Sequence, residues 1–200
     1  MLIHICCSVD SHYFLQRLRK EFPNERIVGY FYDPNIHPYS EFLLRFEDVK
    51  RSCEKLGIKL ICGEYDYEAW LGGTKGLEDE PEKGKRCEYC FDFRMADSAK
   101  KALELQTRAK INTFSPKLNF DYSEASLKTD NLDEALDEAK FILNMKLEPE
   151  DRLHALNLAS EIYIRQKQYK LAKGYLDECV SSNFTSAYKD ACKAKLEMIK

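Results

Sequence analysis

The chain has 200 residues, of which 44% are apolar and 32% charged, with a net charge of -3. That is enough to bury a core in one medium domain or two small ones. The mild acidity disfavours a uniformly basic nucleic-acid surface but leaves room for a local basic face. No apolar run approaches the roughly 20 residues needed to span a bilayer. The start, MLIHICCSVD, has neither the basic n-region nor the small-residue cleavage site of a signal peptide. A cytoplasmic protein with no membrane partner is expected.

The first half alternates short apolar runs with amphipathic stretches. Residues 2–5 form a buried-strand candidate, and 11–21 carry Phe14, Leu15 and Leu18 at helical spacing. The best strand is 26–32, rich in β-branched and aromatic residues. Two prolines and an Asp-Pro pair then make 33–38 a loop. Ser40 offers an N-cap for a helix to about residue 56, with Gly57 as its stop, and 59–62 reads as a third strand. This β-α-β-α-β order predicts a parallel sheet covered by helices, with ligands beyond the carboxyl ends of its strands. Residues 72–86, polar and glycine-rich, read as a surface loop, and a helix over about 90–106 closes this half.

No strand is expected in the second half. Helices are predicted over 131–144, from Pro149 through Ile164, over 169–180 and from 186 to the end. The pair across 156–184 resembles a tetratricopeptide repeat, with Leu156, Ala159, Ser160, Tyr163, Ala172, Leu176 and Cys179 at its packing positions. A plain antiparallel helical bundle fits the same pattern. The domains are placed at 1–110 and 131–200, and 107–130 carries the weakest pattern in the chain.

Eight cysteines are clustered unevenly. A reducing compartment disfavours structural disulfides, so metal or redox chemistry is the expectation. Cys6 and Cys7 can meet one ligand only where the strand has turned into a loop. Cys87 and Cys90, a C-x-x-C pair, fit a zinc site, a redox pair or an iron–sulfur cluster. Together the pairs offer four thiolates, and adjacent cysteines are poor zinc-ribbon grammar, which favours iron–sulfur. Asp10 is either a hard metal ligand or proton-transfer group, or the N-cap of the following helix. His37 lies near the presumed site, whereas His4 reads as a core histidine. Tyr30, Phe31, Tyr32, Tyr39, Tyr65, Tyr67 and Trp70 are core or base-stacking rings. Arg45, Lys50, Arg51, Lys83, Lys85, Arg86 and Arg94 are either a phosphate-facing patch or solvated charges.

Four consecutive segments, HICCSVD at 4–10, GYFYDPNIHPYSEFLLR at 29–45, GEYDYEAWL at 63–71 and EDEPEKGKRCEYCFDFRM at 78–95, resemble the signatures of the QueH family of epoxyqueuosine reductases. The resemblance covers about the first 100 residues. It implies an α/β, Rossmann-like parallel sheet of the adenine nucleotide α-hydrolase type, followed here by an all-α segment. It also implies an oxidoreductase that converts epoxyqueuosine in the tRNA anticodon stem-loop to queuosine, fed by an electron donor. By motif, Cys6, Cys7, Cys87 and Cys90 hold a 4Fe-4S cluster, and Asp10 ligates or serves an additional mononuclear iron. Asp10 and Tyr32 are the implied catalytic residues, and Asn35, His37, Tyr39, Glu41 and Arg45 the substrate contacts. The family's later Cys-Gly-Cys segment is absent from this sequence. Two other readings therefore stand beside the enzyme: an inactive QueH-like half whose helical repeat binds a protein partner, and a zinc-stabilised domain.

Overall fold

A computed structural model describes residues 1–6, 8–108 and 116–199, with side chains throughout these ranges except at 8–10 and 108. The chain divides into two compact units, Met1–Arg94 and Met95–Lys200.

In the first unit, three β-rich runs form β1 (Leu2–Ile5), β2 (Val28–Phe31) and β3 (Lys59–Cys62). They pair in parallel in the order β1-β2-β3, in the register Leu2↔Val28 and Val28↔Lys59. The central strand is the most buried, as expected where helices cover a parallel sheet. Its crossovers are α1 (Ser8–Glu21) and α2 (Tyr39–Lys55). Ile5, Leu15, Ile27, Phe31, Phe42, Val49, Cys53 and Ile58 form the core. Removing such surface from water, at about 25 cal/mol per Å2, drives the packing.

Local starts and stops differ from the sequence reading in three places. The residue capping α2 is Pro38, without a side-chain cap bond, and Ser40 lies inside the helix. Proline's fixed φ suits the entry to a first turn, so the helix begins earlier than a serine cap would set it. Gly57 does end α2, with φ +61 in the left-handed region. The presumed loop 72–86 takes in the end of α3 (Tyr67–Gly73) and the start of α4 (Lys85–Arg108). Asp66 caps α3 by accepting from the Ala69 N–H. The Cys87 and Glu88 N–H groups bond back to the Gly84 carbonyl, so α4 opens before the cysteine pair rather than at its second member.

The second unit is helical: α5 (Pro116–Lys128), α6 (Leu132–Leu143), α7 (Pro149–Arg165), α8 (Tyr169–Ser181) and α9 (Ala187–Met198), together with the last turns of α4. From α5 onward each helix packs on the next, and α7 also touches α5 and α9. All seven repeat-packing residues named from the sequence are buried. One expectation fails. Cys179 on α8 and Cys192 on α9 form a disulfide, because the packing of adjacent helices brings two wholly buried thiols together. Helix α5 was not expected; its hidden face mixes Asn119, Ser123 and Ser126 with Phe120, Tyr122, Ala125 and Leu127, and the Ser123 hydroxyl donates to the Ala135 carbonyl at 2.8 Å.

Candidate metal centre

Cys6, Tyr32 and Asp33 follow the carboxyl ends of β1 and β2. Cys6 follows β1 directly, at a bend, as an adjacent cysteine pair requires. Cys7 lies outside the described residues, as does the Asp10 side chain. Cys53, Cys62, Cys87 and Cys90 are free cysteines among the described residues. Among the described residues, no three His, Cys, Asp or Glu side chains gather closely enough to hold a metal ion.

The end of β2 supplies the electrostatic centre. His4 Nε2 lies 2.8 Å from the Tyr32 carbonyl oxygen. Burial lowers the pKa of His4, against the pull of that hydrogen bond, and the positive charge of Arg94 lowers it further. Tyr32 is only 4% exposed, its ring stacked on Tyr30 at 6.0 Å and on Phe93 at 6.2 Å. Asp33 is 1% exposed, and its Oδ1 accepts from Arg94 Nη1 at 3.0 Å. Burial pushes the Asp33 carboxyl up to about 7, although Arg94 and Arg45 pull it down. Its second oxygen, Oδ2, is buried with no hydrogen-bond partner, and such an atom normally costs the fold about 1–3 kcal/mol.

Helix α4 brings the second cysteine pair. Cys87 is exposed and Cys90 half-buried. Three residues apart, they share one helical face. Arg94, one turn beyond Cys90, donates from Nε to the Cys90 carbonyl at 3.3 Å. Burial raises the Cys90 thiol, while the Arg94 charge and a hydrogen bond from Trp70 oppose the rise. The Trp70 N–H lies beside Cys90, but its Nε1 is buried without a partner at full hydrogen-bond geometry.

The expected substrate contacts lie on the loop after β2 and on α2. The Asn35 Oδ1 is buried without a partner. The His37 ring is exposed and stacks on Tyr67 at 4.4 Å, and Tyr65 donates to the Ile36 carbonyl at 2.9 Å. Tyr39 is 51% exposed and packs on Tyr65 at 4.9 Å, and Tyr67 packs on Trp70 at 5.8 Å. These five rings make a continuous aromatic surface. Glu41 and Arg45 pair with each other at 2.8 Å on exposed turns of α2. Lys50 and Arg51 also pair with acids one turn back.

The sequence reading missed Asp33, treating Asp-Pro only as a break, and placed Arg94 among surface charges. The spacing of 87, 90 and 94, one helical face over two turns, was the available signal.

Residues 1–151 match the family model described as "Epoxyqueuosine reductase QueH". The chain belongs to the QueH family. It is 60% identical over 105 residues to the QueH epoxyqueuosine reductase of Helicobacter pylori, covering 52% of this chain and 28% of that protein. The QueH proteins of Histophilus somni and Staphylococcus epidermidis are 42% identical over 104 residues and 38% over 129, covering 52% and 60% of this chain and 42% and 53% of those proteins. The chain thus spans about a quarter to a half of the length of these QueH relatives. Among the described residues, no helix is long and apolar enough to cross a membrane.

Proposed function

We propose that the chain acts as an epoxyqueuosine reductase on tRNA in the cytoplasm, with Cys6, Cys7, Cys87 and Cys90 holding a 4Fe-4S cluster and Asp10 serving an additional mononuclear iron. The first unit is then the opening of a Rossmann-like sheet of the adenine nucleotide α-hydrolase type. The observation that carries this reading is the tie from Asp33 through Arg94 to Cys90, which links the C-x-x-C face of α4 to the carboxyl end of β2 within a continuous family match. The donor set suits the group: thiolates are soft ligands for iron, and the buried Trp70 N–H is a donor of the kind that stabilises cluster sulfur.

Converting an epoxide to an alkene and water takes up two electrons and two protons. A cluster held by these cysteines would supply the electrons one at a time from an external one-electron donor. The chain's own residues do the rest. The exposed faces of His37 and Tyr39 offer stacking surface to an unpaired base of the anticodon loop. Asn35, with its buried free carbonyl oxygen, accepts from a substrate hydroxyl, and Glu41 and Arg45 bind at the rim. Asp10 and Tyr32 hand protons to the leaving oxygen. The helical segment, with its repeat-like packing, binds a protein partner.

Anaerobic reconstitution of the full chain with iron and sulfide tests this. A thiolate-to-iron absorption band should appear and be lost in Cys87→Ala and Cys90→Ala. The reconstituted chain with a chemical reductant should convert an epoxyqueuosine-bearing anticodon stem-loop. Zinc as the bound metal with no such band would overturn the cluster. A loaded cluster without turnover would leave only the protein-binding role.

A further inference from the structure

Helical geometry puts Cys87, Cys90 and Arg94 on one face of α4, at i, i+3 and i+7. Whatever holds Arg94 therefore sets the direction in which both thiols point. In the first unit that holder is Asp33, two residues beyond the end of β2, through the 3.0 Å bond to Arg94 Nη1. Arg94 in turn braces the Cys90 carbonyl from Nε. The residue before Asp33 offers its carbonyl to His4 on β1, two residues before Cys6. One polar chain thus runs from the neighbourhood of the first cysteine pair, across the end of β2, to the second pair.

Apolar contacts reinforce it. Phe93 stacks on Tyr32. Tyr89 leaves so little room that a Cβ on Gly73 would lie 1.9 Å from its phenol oxygen. A buried ion pair is weak evidence for stability, because desolvating two charges cancels much of their attraction. Asp33 also keeps its second oxygen buried and unpartnered. A fold that tolerates that cost beside Arg94 and Cys90 gains orientation rather than stability.

We propose that Asp33 is a positioning residue for the metal centre: through Arg94 it indexes α4 against the end of β2 and so fixes the direction in which Cys87 and Cys90 present their thiols. This rests on the metal-binding reading given above. Outer partners of this kind are worth about 10- to 100-fold in metal affinity.

The test is an anaerobic titration of the full, metal-free chain with Co2+, read from the visible absorption of tetrahedral cobalt–thiolate coordination. Asp33→Asn should weaken cobalt binding by about 10- to 100-fold while keeping the wild-type circular dichroism spectrum. Arg94→Gln, at a half-buried site that tolerates the change, should show the same loss. The double variant should lose no more than either single one, because both act through one contact. Conservative Arg94→Lys should recover part of the affinity. If the wild-type chain gives no cobalt–thiolate band, the metal reading itself falls. If it does, and Asp33→Asn binds as tightly as wild type, or the two losses add, Asp33 does not position the thiols.

Discussion

Replacing Asp33 by asparagine should change stability in a pH-dependent way that can be worked out beforehand. Folding carries this carboxyl from its ordinary value of 3.8 to about 7, chiefly because burial disfavours the anion. Between these values the folded chain holds the proton and the unfolded chain does not. Stability therefore falls as pH rises through that window, by about 1.4 kcal/mol per pH unit and about 4 kcal/mol in all. Asparagine does not titrate, and the other groups titrate alike in both chains and cancel in the difference. Arg94 loses the charge opposite it, although the asparagine Oδ1 can still accept, and its side chain is 23% exposed and reaches water. Trp70 is the chain's single tryptophan, so its emission during urea unfolding of the metal-free chain reports on the first unit. Asp33→Asn should gain about 3 kcal/mol on wild type between about pH 5 and about pH 7, and then level off. A difference that stays flat across this range would refute the burial argument. The expected gain in stability at neutral pH also separates folding from metal affinity, which the same substitution should weaken.

The remaining predictions concern packing. Phe31→Ala, which removes a wholly buried ring between Phe42 at 5.1 Å and Phe46 at 5.6 Å, should cost about 3–5 kcal/mol in the same Trp70-monitored unfolding. A loss below the range for a surface substitution would mean the core is not arranged in this way. Gly63→Ala would place a Cβ 2.6 Å from both Tyr30 Oη and Tyr32 Cδ2, atoms of two buried rings, and should destabilise by about 1–3 kcal/mol; a neutral result would show that those rings can shift. The Cys179–Cys192 bond closes a separation of 13 residues. Reducing it should remove about 3 kcal/mol, seen as a lower melting temperature by circular dichroism, and a Cys179→Ala/Cys192→Ala chain should melt alike with and without reductant.

Elements with a clean period were legible in the sequence. The three strands followed from short apolar or β-rich runs, α1, α6 and α7 from apolar spacing, α2 from its start and stop signals and α8 from the repeat pattern. Helix α5 left a blurred pattern, since Asn119, Ser123 and Ser126 interrupt its buried Phe120, Tyr122, Ala125 and Leu127, and Ser123 is satisfied through a partner twelve residues away. The α2 start was misplaced because a serine cap is a stronger local signal than a proline at the same boundary. Within the site, the cysteines and the aromatic loop are visible as residue types. Asp33 is not, because its role depends on Arg94, 61 positions along the chain. The disulfide was unreadable for the same reason: compartment chemistry argued against it, and only the packing of α8 on α9 brings the two sulfurs together.

The sheet has three strands of four residues each, and neither β1 nor β3 pairs on its outer side with another described strand. Each border is therefore only about 13 Å long, a short template for recruiting a foreign chain. On β3 the first residue is a solvent-facing lysine, a charge that opposes docking of a like border in water. Among the described residues, the borders of this small sheet are thus poor templates for pairing with a foreign strand.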